Sequence, residues 1–96
     1  MWNHVLTMGK TEKLYQKALR SPKNFLFRDL CLLVKKVGFV LRKNEHGTSH
    51  NFYKHPDVEE VINLQRKPKD SKLAKPYQVR QVLSIIDQHN LLGGDE

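Results

Sequence analysis

The stretch Lys43 to Pro56, KNEHGTSHNFYKHP, decides how the rest of the chain reads. Apolar, strongly patterned segments flank it on both sides, and the change from helical spacing to the short alternation of strands falls just before it, after Gly38. Its own middle, Asn44-Glu45-His46-Gly47-Thr48-Ser49, is small and polar and reads as a hairpin loop. Phe39 to Lys43 and His50 to His55 are then the two strands that it joins. Phe52 and Tyr53 are adjacent, so one packs in the sheet while the other faces away, and alternation alone does not say which.

On the N-terminal side, Leu30, Leu33, Val34 and Val37 fall at i, i+3, i+4 and i+7 and predict a helix over Arg28 to Val37. Asp29 near its start and Lys35 and Lys36 near its end suit the helix dipole. Gly38 supplies the stop. Cys31 sits beside the apolar stripe as a small core residue. Further out, Phe25-Leu26-Phe27 is an apolar connector folded onto the core, and Ser21-Pro22-Lys23-Asn24 is a break. A first helix spans Thr11 to Leu19, with Thr11 as its cap. Residues 1–9 form an N-terminal arm, 10–92 a single domain and 93–96 a polar tail.

On the C-terminal side, Pro56-Asp57 makes a turn and Glu60 to Gln65 is β-branched and apolar enough for a third strand. Ile62 and Leu64 share one of its faces. Arg66 to Lys75 is a basic, proline-containing loop. Val79, Val82, Leu83 and Ile86 form the stripe of a last helix over Pro76 to Asn90, with Arg80, Gln81, Ser84 and Gln88 outward and Gly93-Gly94 as its stop. The terminal Gly-Gly-Asp-Glu matches a fragment of the cyclic-dinucleotide synthase signature, chemistry that needs a whole catalytic domain around it. The order α, α, β, β, β, α predicts an α+β fold: a three-stranded antiparallel sheet with helices covering one face. Its α-β-β-β-α core, with an extra N-terminal helix, is the arrangement of double-stranded-RNA-binding domains.

Composition narrows the partners. The 96 residues carry 17 Lys+Arg against 10 Asp+Glu, a formal charge of +7. Such a surplus favours a polyanion, nucleic acid before an acidic protein or a membrane surface. A single cysteine excludes an internal disulfide and makes a reducing cytoplasm the expected compartment. The longest apolar run, Leu30 to Val34, is far short of the roughly 20 residues of a membrane helix. His46, His50 and His55 lack a cysteine or carboxylate at a recognised ligand spacing, so neither metal nor other cofactor is expected.

Phe27 to Arg42 (FRDLCLLVKKVGFVLR), Gly47 to Pro56 (GTSHNFYKHP), EEVINLQ and KPYQVRQVLSIID together resemble the HicA-type toxins of bacterial and archaeal toxin–antitoxin systems. The resemblance spans roughly residues 10–92 in the family's order. It implies a small ribonuclease, an mRNA interferase, with a double-stranded-RNA-binding-like fold. The family's functional histidine follows a glycine and a serine at the start of the second strand, which matches His50. The common motif is Gly-Ser-His, whereas here Thr48 intervenes between Gly47 and Ser49. The resemblance also implies a HicB-type antitoxin that covers His50 and keeps the enzyme silent.

Metal-free RNA cleavage needs a group to take the proton of the 2′-hydroxyl and donors to hold the phosphate charge. An imidazole titrating near neutrality suits the first task, at roughly 10²–10⁴ in rate. The resemblance makes His50 the expected acid/base, ahead of His46 and His55, with Gly47, Thr48 and Ser49 binding phosphate through backbone N–H and hydroxyl groups. Lys35, Lys36, Arg42, Lys43 and Lys54 are the expected RNA contacts around the hairpin, and Arg66, Lys67, Lys69, Lys72 and Lys75 a second basic cluster. The same residues also describe a solvated loop with a hydrogen-bonding histidine. A non-catalytic RNA-binding module of the same fold is the alternative to the ribonuclease, and a small domain that binds an acidic protein partner is a third reading.

Overall fold

In a computed structural model, residues 9–42, 51–65 and 72–92 are described. The elements are α1 (Lys10–Arg20), a 3-10 turn (Pro22–Asn24), α2 (Phe27–Lys36), β1 (Val40–Arg42), β2 (Asn51–His55), β3 (Val58–Leu64) and α3 (Pro76–Gln88). The strands form one antiparallel sheet in the order β1-β2-β3. The expected α+β class, element order and antiparallel sheet are all present.

The helices cover one face of that sheet. Phe27, Leu30, Leu33 and Val34 of α2 and Val79, Val82 and Ile86 of α3 share a core with Tyr53, Ile62 and Leu64 of the strands. Removing these side chains from water is the main stabilising term, worth about 1.5–3 kcal/mol for each large aliphatic or aromatic residue. α1 adds Ala18 to the core and rests Leu14 and Tyr15 against it.

Several boundaries differ from the sequence expectation for local reasons. Thr11 does not cap α1: Gly9 stands at the cap position, its carbonyl accepting the Lys13 N–H, and Thr11 is buried in the first turn. β3 begins at Val58 because Pro56 and Asp57 alone make the turn, and Val58 buries its side chain across from His55. Between Tyr53 and His55 the β2–β3 register shifts, so Glu59, Glu60 and Val61 bulge opposite Lys54. The segment before α3 is not wholly a polar loop. Leu73 bridges Leu26, the Phe27 N–H donates to the Lys72 carbonyl, and Ala74 is fully buried with its N–H on the Phe25 carbonyl.

Two helices end in the same way. After α2, the Gly38 N–H donates to the Lys35 carbonyl and the Phe39 N–H to that of Val34, with Gly38 at φ +109°. After α3, the Asn90 N–H donates to the Asp87 carbonyl and the Leu91 N–H to that of Ile86, with Asn90 at φ +53°. Both are Schellman closures that satisfy carbonyls the helix leaves open. Asn90, not Gly93-Gly94, is therefore the stop of the last helix; the two glycines lie outside the described residues.

Candidate nucleic-acid interface

The sequence places its catalytic expectation on the segment between β1 and β2. Lys43, Gly47, Thr48, Ser49 and His50 lie outside the described residues, as do His46, Arg66, Lys67 and Lys69. The frame that carries this segment is described. Arg42, immediately before Lys43, ends β1, and Asn51, immediately after His50, begins β2. Arg42 pairs with Phe52, and Asn51 pairs with Leu64 on the other side. The segment with His50 thus leaves and re-enters the sheet on neighbouring strands, and the strand it enters is the central one.

Strand alternation and burial sort the two faces. Leu41, Tyr53 and Ile62 lie in one cross-strand row, and Tyr53 and Ile62 are fully buried against the helices. Phe52 therefore points to the opposite face, where it is half-buried between its pairing partners Arg42 and Asn63. That settles which aromatic packs in the core. On the outer face Val40 is 54% exposed and Val61 43%, with Arg42 and Lys54 exposed beside them. Positive charge on this face comes from Arg42 of β1 and Lys54 of the central strand, among the apolar Val40, Phe52 and Val61.

The five basic residues expected around the hairpin do not form one cluster. Arg42 and Lys54 share the outer face on adjacent strands. Lys35 and Lys36 close α2, in the helical layer, where their charge complements the helix dipole. Lys35 borders a groove between α2 and the sheet that is also lined by Cys31, Leu32, Leu41 and Tyr53. Of the later cluster, Lys75 donates to the Gln65 side-chain oxygen at 3.0 Å and serves the fold, while Lys72 is exposed.

Both described histidines have structural partners. His55 Nδ1 accepts the Asp57 N–H at 2.9 Å, which fixes the β2–β3 turn. The His55 ring meets Phe39 edge-on at 5.1 Å and lies over Gly38. A Cβ at Gly38 would stand 2.7 Å from His55 Nε2, so this glycine is required by its φ and by its neighbour alike. His89 Nε2 lies 3.0 Å from a Glu60 carboxylate oxygen and ties the end of α3 to β3. Neither is placed to act on a ligand at the outer face. Tyr53 is also structural: burial and a hydrogen bond with the Cys31 side chain push its phenol well above the ordinary tyrosine range.

One polar residue escaped the sequence reading. Gln78 is buried in the first turns of α3, accepting the Gln65 N–H at 3.1 Å and donating to the Asn63 carbonyl at 2.9 Å. Its amide thus pairs with alternate residues, Asn63 of β3 and Gln65 just past its end, as a neighbouring strand would. Nothing in a helix-period pattern marks such a residue, because its partners lie on another element. Among the described residues, the Asn63 side-chain oxygen is buried with no hydrogen-bond partner.

Compared with protein-family models, curated proteins and solved structures, the chain matches none. Among the described residues no helix is long and apolar enough to cross a membrane. Among the same residues no group of three or more His, Cys, Asp or Glu side chains could hold a metal ion.

Proposed function

We propose that this protein is a HicA-type toxin: a metal-independent endoribonuclease of the cytoplasm, with a double-stranded-RNA-binding-like fold, that cleaves mRNA. His50 takes the proton from a 2′-hydroxyl, the 2′-oxygen attacks the adjacent phosphorus, and the bond from phosphorus to the 5′-oxygen breaks. The products are a 2′,3′-cyclic phosphate and a 5′-hydroxyl end, the latter protonated by the imidazolium or by water. Gly47, Thr48 and Ser49 hold the phosphate, Lys35, Lys36, Arg42, Lys43 and Lys54 contact RNA, and a HicB-type antitoxin silences the enzyme.

The observation that carries this reading is the framing of the His50 segment by exposed cations. Arg42 stands at its near end, and Lys54 follows its far end on the same sheet face. A phosphate backbone crossing that face meets positive charge on both strands that bear the segment, with a formal chain charge of +7 behind them. The order of helices and antiparallel strands agrees with the sequence resemblance.

The test is controlled expression of wild type and His50→Ala, following growth and RNA integrity. Growth arrest with degraded message from wild type alone is expected, along with cyclic-phosphate ends. Full cleavage by His50→Ala refutes the assignment of the acid/base. RNA binding without cleavage by either protein establishes the non-catalytic module instead.

A further inference from the structure

We infer that the outer face of the sheet is a stacking platform for unpaired RNA bases, with Phe52 as the stacking side chain and Arg42 and Lys54 as its phosphate contacts. This rests on the reading of the protein as RNA-binding and assigns that activity a surface. Tyr53 is committed to the core, so Phe52 is the aromatic that β2 presents on the face away from the helices. It occupies the central strand, directly paired with Arg42, while Lys54 follows two positions along the same face. Val40 and Val61 extend an apolar floor to both sides.

This combination selects the occupant. A base offers a flat π-face that an aromatic ring on a sheet can cover, and the phosphates that flank it need cations within a few ångströms. Duplex RNA keeps its bases stacked inside the helix and cannot offer that π-face to a strand residue. The surface therefore favours single strands, and because every base can stack, it binds with little sequence preference. A substrate laid across β2 also approaches Asn51, the residue that follows His50 in the chain.

The experiment measures binding of a labelled, unstructured RNA of about 12 nucleotides and of an RNA duplex of about 16 base pairs. His50→Ala is the background, so that cleavage does not consume the probe. Tighter binding of the single strand is expected. Phe52→Ala and Phe52→Leu should each weaken it roughly 5- to 100-fold, and Phe52→Trp should restore it. The leucine variant retains apolar bulk, and its melting temperature separates lost stacking from lost folding. Arg42→Ala and Lys54→Ala should each lower the slope of log affinity against log salt by about 0.7.

Unchanged single-strand binding by a folded Phe52→Leu protein overturns the platform. So does equal or tighter binding of the duplex, or a dimer in sedimentation that Phe52→Leu dissolves, since a second copy would then own the face. These results are separable from the fate of the ribonuclease. His50-dependent cleavage that survives Phe52→Leu sinks the platform alone, whereas Phe52-dependent binding without cleavage sinks the catalytic reading alone.

Discussion

Replacing Gln78 tests whether a single helix side chain closes the end of the sheet. Its amide makes two hydrogen bonds at the end of β3, at 2.9 Å to the Asn63 carbonyl and 3.1 Å from the N–H of Gln65, the residue after the strand. Gln78→Leu keeps a similar volume but removes both bonds and leaves two backbone groups without their partner. Both groups are only part-buried, so leaving each without its partner costs about 1.5 kcal/mol, toward the low end for an orphaned polar group. The added apolar burial of leucine returns about 1 kcal/mol. The expected loss is therefore roughly 2 kcal/mol, or a fall of about 8–16 °C in Tm for a domain of this size. Thermal and urea unfolding followed by circular dichroism measure it. A Gln78→Leu protein that melts within about 3 °C of wild type would refute the strand-surrogate role, since that shift corresponds to less than one hydrogen bond. A second variant fixes the direction of the bonds. Gln78→Glu retains an acceptor for Gln65 but sets a carboxylate against the Asn63 carbonyl. Burial raises the folded-state pKa of that carboxyl above its unfolded value, so stability is present at low pH and lost as pH rises. This variant should become more stable on acidification through pH about 4–6, relative to Gln78→Leu.

Two other substitutions probe the frame around the sheet. Gly38→Ala should cost roughly 1–3 kcal/mol from backbone strain alone, with a further penalty from the contact with His55 Nε2. In a Gly38→Ala, His55→Ala double-mutant cycle the steric part should disappear and the strain should remain, and strict additivity would show that His55 does not crowd this site. Tyr53→Phe should show a different pH profile. With the folded phenol raised by burial and the Cys31 hydrogen bond, wild type keeps its full stability below pH about 10 and loses it as pH rises further, because only the unfolded chain ionises there. The phenylalanine variant should be less stable at pH 7 by roughly 0.5–1.5 kcal/mol yet lose less above pH about 10. Parallel alkaline unfolding curves would contradict the cause assigned to the shift.

Much of the fold was legible from local pattern. The stripe Leu30, Leu33, Val34, Val37 gave α2, Gly38 gave its closure, and alternation around Ile62 and Leu64 gave β3. The errors fall at element ends, where capping depends on neighbours. Thr11 has the chemistry of a cap but is drawn into the core, and Asn90 takes the left-handed position before the glycines are reached. The chemistry expected of the candidate site rests on the sequence alone, on His50, Ser49 and Thr48 beside basic residues, while the structure bears on the surface those basic residues form. Sequence grouped Lys35, Lys36, Arg42 and Lys54 by proximity along the chain, yet only the last two share a sheet face.

The sequence by itself determined the periodic elements, the order α, α, β, β, β, α and the cationic balance, because these depend on residue type and on neighbours a few positions away. Tertiary structure alone decided that Tyr53 enters the core and leaves Phe52 outside, that His55 settles over Gly38, and that Gln78 completes the edge of β3. Each of those outcomes depends on which sheet face the helices cover and on atoms brought together from distant parts of the chain. A period-2 pattern has two equivalent faces, and only packing makes one of them the inside.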